Sequence, residues 1–536
     1  MGLALAGDLG WREIPCLLIE QSDSSIYQPR QDLVGIRTME FCRRWGLVAA
    51  VEASPYPRDI PQDNVYVTSL VGYELGRERF PSMGEETPPP ASPQKRERCP
   101  QNMFDPILRA FASSHAGVEL RYRTRLLSFV QDRGRVVATV EDLDRARRYD
   151  VEARFIAGCD GARSLVRDTL GIGMMGNPAL THTTNIIFRC PHLPALHDKG
   201  LAYRFIILGP EGVWATIVAI NGRDQWRMSI IGAADPRELT REEIHAAIRR
   251  AVGIDFDYEI LTVLPWVRRE LVAERFRNGQ GFVLGDAAHA MSPTGGFGMN
   301  TGIGDAVDLS WKLAAVLAGW GGPNLLDSYE TERRPVGARN VAEASRNLRR
   351  MLSFGGNPAL LDAGPDGART RELVGREFSA AMRHEWYTLG MHLGYRYEGS
   401  PICWPDGTDA PPDHPRTYVP TARPGSRAPH VWLADGRSTL DLFGRGFTLL
   451  DLGADASDAA ALRDAAKRGG MPVDVMRIDE PRVLALYERR LVLVRPDGHV
   501  AWRDDRAPPD PARLIDCVRG AAPAGATARR HAAASA

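Results

Sequence analysis

The chain has 536 residues, 44% hydrophobic and 25% charged, with 67 Lys+Arg against 67 Asp+Glu and so no net charge. That length calls for two or three domains, and the balanced, ordinary composition argues against a nucleic-acid partner or an anionic membrane surface. Seven cysteines without a CxxC or a Cys/His metal spacing point to a reducing, cytoplasmic setting with neither a disulfide frame nor a metal site.

The first residues, GLALAGDLG, lack a basic region and are broken by Asp8, so they do not read as a signal peptide. No apolar run approaches the roughly 18 residues needed to cross a bilayer. Residues 2–11 instead read as a helix, and 14–19 as a strand with Glu20 at its end. A glycine at a helix start, with an acid on the next strand, is the back half of a dinucleotide fingerprint. Glu20 would accept hydrogen bonds from the ribose hydroxyls of an adenosine. The front half, a first strand with two further glycines, is absent, which predicts an unpaired slot in the sheet and a pyrophosphate without its tight turn.

Next, Tyr27-Gln28-Pro29-Arg30 precedes a helix opening at Gly35-Ile36-Arg37 and running through Trp45. Residues 56–100 are rich in loop formers, including Pro88-Pro89-Pro90, and read as an excursion partly covering a ligand. Gln101 leads into a helix over 104–112, and 118–122 and 136–140 read as a hairpin-like pair around the turn Gln131-Asp132-Arg133-Gly134. A short apolar strand then ends at Asp160-Gly161, followed by a helix with Ser164 and Arg167.

Segments 203–207, 213–218 and 225–230 alternate as strands of an antiparallel sheet, with a helix over 242–252. Inserted in a nucleotide-binding fold, such a sheet makes one wall of a substrate pocket, and its aromatic and Met content suits a flat apolar ligand. The strand 281–284 then runs into Gly285-Asp286 and a loop with Pro293, Gly295, Gly296 and Gly298. From Asn300, Ile303, Val307, Ser310, Ala314 and Leu317 share a helical face. Strand, acid, glycine loop and helix start together form an anion-receiving site, since glycines let a ligand approach and the first helical N–H groups point at it. His182 and His289 read as structural. Helices over 340–354 and 368–387 precede a boundary near Gly394, a Pro-rich path into a third unit, and an Ala-rich tail from Gly520 expected to be disordered.

Gly285-Asp286-Ala287-Ala288-His289 with Pro293-Thr294-Gly295-Gly296-Phe297-Gly298-Met299-Asn300, continued by Asp305-Ala306, Trp311-Lys312-Leu313 and Glu332-Arg333-Arg334-Pro335, resembles the second FAD motif of class A flavoprotein monooxygenases. This is the p-hydroxybenzoate hydroxylase and phenol hydroxylase family. The resemblance implies that Asp286 binds the FAD ribitol, and that Pro293, Gly296, Gly298, Met299 and Asn300 face the pyrimidine end of the flavin. It further implies FAD contacts from Asp160, from Gln101 near the ribose, and from Arg37 at the phosphates, with Arg30 as the second match. Gly2 and Glu20 would complete the adenosine side. A helix N-terminus stabilises the anionic reduced flavin by about 2 kcal/mol, or about 1.5 pKa units.

The fold so implied is α/β. A Rossmann-like FAD-binding domain lacking its first strand (1–172 and 270–393) carries an inserted antiparallel substrate sheet (173–269). A thioredoxin-like C-terminal domain (394–519) and the tail (520–536) follow. Without a CxxC the third unit serves packing or assembly rather than redox chemistry. The implied activity is hydroxylation of a phenolic or polyketide aromatic by FAD, NADPH or NADH, and O2, through a C4a-hydroperoxyflavin, with a homodimer as the candidate assembly. Three alternatives stay open. They are a Baeyer–Villiger or epoxidising enzyme of the same fold, an FAD-dependent dehydrogenase, and an inactive homologue that cannot hold FAD because of its N-terminus.

Overall fold

The computed structural model describes residues 1–27, 29–232 and 238–522. Gln28 of the Tyr27–Arg30 motif, and the expected tail beyond residue 522, lie outside the described residues.

The helix Gly2–Trp11 leads into the strand Cys16–Ile19, which pairs in parallel with Val118–Arg121. A second parallel pair joins Ile156–Gly158 to Gly281–Val283. The two pairs belong to separate sheets, with no strand hydrogen-bonded between them among the described residues. Gly2 sits across this division: a Cβ there would lie 3.0 Å from Leu18 Cδ1 and 3.7 Å from Cys159 Cβ.

The expected pairing of 118–122 with 136–140 is not found. The turn at 131–134 joins Thr124–Asp132 to Arg135–Asp142, and Val118–Arg121 goes to the parallel pair instead. Alternation identifies a strand but not its partner, which is chosen by burial elsewhere.

The substrate-side sheet has eight strands in the order His289–Ala290, Glu259–Ala273, Met174–Arg189, Gln225–Ile231, Gly212–Ala219, Arg204–Gly209, Asn64–Val67, Glu74–Glu78. It is therefore larger than the expected 173–269 insert, recruiting two strands from the loop-rich stretch. It is also mixed rather than purely antiparallel, because Arg204–Gly209 and Asn64–Val67 run parallel. One face buries Val65, Phe188, Ile207, Ala215 and Ile217 against Ile244 and Ile248 of the helix Arg241–Val252. The other face carries Thr183, Asn185, Thr216 and Ser229, which is too polar for a core and borders a cavity.

The third unit runs strand Phe447–Asp451, helix Ala456–Arg468, strand Val473–Arg477, helix Pro481–Tyr487, strands Leu491–Val494 and Val500–Asp504, and helix Pro511–Val518. Its first two strands are parallel and the rest antiparallel, with Phe447–Asp451 and Leu491–Val494 central; this is a thioredoxin-like arrangement. Among the described residues no helix is long and apolar enough to cross a membrane.

The helix Phe297–Leu317 connects these units and is buried along most of its length. It begins three residues before the expected Asn300, because Gly296, at φ 68°, turns the chain left-handed directly into the helix. On its far side Asp308 and Lys312 meet Glu332 of the helix Asp327–Leu352 and Arg495 and Asp497 of the third unit. A second ionic contact joins the same units. Glu40 accepts hydrogen bonds from Arg37 at 2.8 Å, from Ser92 at 2.6 Å and from both Nε and Nη2 of Arg427.

Burial alone pushes the Glu40 carboxyl up, but the guanidiniums of Arg427 and Arg37 outweigh it and hold it down to about 2. A depressed carboxylate contributes stability above its ordinary titration range and loses it as pH falls toward the folded value. Glu40→Gln is therefore expected to cost of the order of 3 kcal/mol at neutral pH. The gap to wild type should close between about pH 4.5 and 2. Thermal melts of both proteins across that window check it; a gap independent of pH would contradict it.

Candidate functional site

A cavity of about 870 Å3 lies between the polar face of the eight-stranded sheet, the 80–98 excursion and the loop before Phe297. On the loop side, Gly285 and Gly295 have φ of 60° and 95°, conformations that L side chains rarely adopt. The chain thereby turns Asp286, Pro293, Gly296, Gly298 and Met299 onto the cavity wall. The helix that follows has no side-chain cap, so its leading N–H groups are left for a ligand. Asp286 is exposed and makes no hydrogen bond or ion pair among the described residues. A Cβ on Gly298 would meet only Met291 Cγ, at 3.9 Å. An uncapped helix start, an unengaged carboxylate and a glycine surface open to the cavity suit the anionic, flat pyrimidine side of a flavin and its hydroxylated ribitol.

The other expected residues divide. Gln101 lies on the wall, where its Oε1 accepts the Arg30 amide at 3.2 Å and its amide donates to Asp105 at 3.3 Å. Gly2 packs beneath the wall while Met1 reaches it. Glu20 closes its strand outside the wall, with Oε1 accepting the Ser22 amide at 2.8 Å.

Three others are held by protein groups. Arg37 does not approach the cavity: it is buried against Glu40 and donates to the Asp497 carbonyl at 2.8 Å, while Arg30, the second match, is on the wall. Asp160 spends its carboxylate on its own helix start, accepting from Ser164 Oγ and from the Val166 amide, and leaves Gly161 at the cavity. Asn300 is a brace, its side chain bonding Gly35, Thr38, the Leu33 carbonyl and the Gly296 carbonyl at 2.7–3.1 Å. In each case a polar side chain is hydrogen-bonded to a protein partner. His289 is buried and hydrogen-bonded to Asp305 at 2.6 Å, the structural role expected of it.

The sequence reading did not single out the sheet-side residues. Asp32 accepts from Arg98 at 2.7 Å and from the Tyr203 hydroxyl at 2.6 Å. Arg204 donates to Glu385 at 2.9 Å, and Arg227, Trp266 and Arg268 also line the wall. The alternate positions Leu264, Trp266 and Arg268 on one strand face were the available signal. His392 lines the cavity beside the glycine loop, and burial with Arg96 and Arg339 nearby lowers it to about 4, so it is neutral at physiological pH.

Residues 1–344 match the family description "FAD binding domain", and 421–521 match "Aromatic-ring hydroxylase, C-terminal". A 4-methyl-5-nitrocatechol 5-monooxygenase of Burkholderia sp is 34% identical over 552 residues, covering 97% of this chain and 95% of its own. The rebeccamycin biosynthetic enzyme RebC with reduced flavin superposes with a TM-score of 0.90 at 40% identity, covering 97% of each chain. A ternary complex of aklavinone-11 hydroxylase with FAD and aklavinone gives a TM-score of 0.80 at 31% identity, again over 97% of each chain.

Proposed function

This chain belongs to the FAD-dependent aromatic-ring hydroxylases, and on that premise we propose that it uses NAD(P)H and O2 to hydroxylate a phenolic or polyketide aromatic ring. The observation that carries the reading is the uncapped start of Phe297–Leu317 facing the cavity beside the unengaged Asp286. Bound FAD supplies the electron transfer and oxygen activation.

The chain's own residues supply position, dryness and charge. Asp286 accepts hydrogen bonds from ribitol hydroxyls, and the backbone of Pro293, Gly296, Gly298 and Met299 receives the flavin edge. The amides at the helix start favour negative charge on the ring, by about 2 kcal/mol when partly buried. Gln101, with Arg30 beside it, serves the ribose and phosphate side, and Glu20 the adenosine ribose. The sheet face with Trp266 and Tyr203 holds the aromatic substrate, and the 80–98 excursion covers it from water. The thioredoxin-like unit packs rather than exchanges thiols. The seven unpaired cysteines, five of them buried, support a cytoplasmic setting.

Substrate-stimulated NADPH oxidation over a panel of phenols and aromatic polyketides, with O2 uptake and product mass recorded together, tests the reading. Coupled formation of product heavier by one oxygen is expected; NADPH oxidation with no oxygenated product from any member would overturn it. Asp286→Ala is expected to weaken FAD binding about ten- to a hundredfold, the worth of a hydrogen bond to a charged group. Stability without FAD should shift by no more than about 0.5 kcal/mol, since the exposed carboxylate has no protein partner to lose. FAD titration followed by flavin fluorescence, beside melts of the FAD-free protein, measures both.

A further inference from the structure

Asp286 reaches the cavity without a hydrogen bond or ion pair of its own among the described residues, so its direction is set by the backbone that carries it. That backbone is held at Gly285, the residue with φ 60°. The Gly285 carbonyl accepts the Ala288 amide at 2.8 Å, and the Gly285 N–H donates to Asp305 Oδ2 at 3.2 Å. Asp305 stands on the helix Phe297–Leu317, about two turns from its start, and is fully buried. The helix comes close because residue 302 is glycine: a Cβ there would lie 3.1 Å from the Gly285 Cα.

Asp305 is in turn fixed from both sides. Oδ2 also bonds His289 Nε2 at 2.6 Å, and Oδ1 accepts from Arg333 Nε at 2.8 Å. Arg333, itself buried, donates further to the Thr301 carbonyl at 3.0 Å and to the Tyr397 hydroxyl at 3.4 Å. Burial pushes the Asp305 carboxyl up, but His289 and Arg333 outweigh it and hold it below its ordinary value, so at neutral pH it only accepts. His289 and Arg333 already give this buried charge its partners. The third bond goes elsewhere, to the turn that presents Asp286. A side chain that must meet a ligand atom to within about half an ångström needs a support fixed by hydrogen bonds before the ligand arrives.

We propose that Asp305 is a positioning residue of the flavin site: by holding the Gly285 amide from the long helix, it aims the Asp286 carboxylate at the ribitol hydroxyls before FAD arrives. This rests on the reading of Asp286 as the ribitol acceptor and extends it to a buried residue outside the cavity wall.

Asp305→Asn tests it. Arg333 keeps the amide oxygen, so the new NH2 group takes the place of Oδ2. His289 can accept from that group by carrying its proton on Nδ1, but the Gly285 N–H then faces a donor. FAD affinity of the full chain, followed by flavin fluorescence, is expected to fall about tenfold. In the Asp286→Ala background the same substitution should change it by less than about twofold, because two residues acting through one ligand contact do not add. Equal losses in the two backgrounds, or none in either, overturn the inference. Hydrogen exchange of the FAD-free wild type needs no variant: the Gly285 amide should exchange at least about a hundredfold more slowly than an unbonded amide. Unprotected exchange there overturns the inference even if Asp305→Asn does not fold. Asp286→Ala protein that binds FAD as wild type does would instead remove the flavin reading of the turn, and this inference with it.

Discussion

Arg495→Met is expected to destabilise the folded chain by about 3–5 kcal/mol, the cost of removing one partner from a buried ionic cluster. Arg495 is fully buried. It donates to Glu332 at 2.5 and 2.9 Å, to Asp308 at 3.1 Å and to Asp497 at 2.7 Å. Lys312 is then the only other cation in ion-pair contact with Asp308 and Glu332 among the described residues, bonding them at 2.7 and 2.5 Å. Burial pushes the Glu332 carboxyl up, yet Arg495 and Lys312 outweigh it and hold it down to about 2, with Arg495 the larger of the two. Methionine replaces the volume but not the charge, so Glu332, Asp308 and Asp497 lose the guanidinium they share, while burial and the neighbouring Glu332 already push Asp308 up to about 8. Thermal and urea melts beside Lys467→Met, an exposed control expected to move stability by less than about 0.5 kcal/mol, measure the effect. Equal shifts for the two variants would mean that the cluster does not hold the units together.

Gly298→Leu is expected to abolish FAD retention while leaving the FAD-free fold at least as stable as wild type. The added Cβ would meet only Met291 Cγ, at 3.9 Å, and φ at this position is not positive, so the backbone and its neighbours accept a Cβ here, with the rest of the side chain directed at the cavity wall that Gly298 forms. Leucine is also the better helix former, by up to about 1 kcal/mol. The same side chain fills space at the loop against which the flavin is proposed to lie. Purified variant should be colourless and take up FAD at least a hundredfold more weakly, a loss of about 3 kcal/mol. Gly296→Leu would not discriminate, because its φ of 68° and a Cβ contact of 3.2 Å to Leu33 strain the fold itself. Wild-type FAD affinity in Gly298→Leu would remove the flavin from this loop.

What could be read from the chain was local. The strand at Gly281–Val283, the acid at 286, the breaker-rich loop and the long helix announce themselves because each is fixed by its own residues and close neighbours. The thioredoxin-like character of the third unit came from the family resemblance rather than from its own residues. Partner choice was not legible. Arg37 looks as suited to a phosphate as Arg30 does, and only the tertiary approach of Glu40 and Asp497 takes it away. Asp160 and Asn300 were likewise taken by nearby protein groups. The strand Asn64–Val67 is four residues long and buried throughout, so it has no alternation to reveal it, and the sheet it extends was underestimated for that reason. Arg268 stands in the run Arg268-Arg269-Glu270, and only the folded sheet shows which of these lines the cavity.

The helix Phe297–Leu317 spans 21 residues, about 30 Å of rigid rod. One tip borders the pocket, and three turns along, Asp308 is clamped by Arg495 of the C-terminal unit. A tilt imposed at the clamp is carried to the tip, because the intervening side chains are packed and cannot absorb it. Shaving the C-terminal unit from this protein should therefore disturb the colour and redox behaviour of the flavin through this rod.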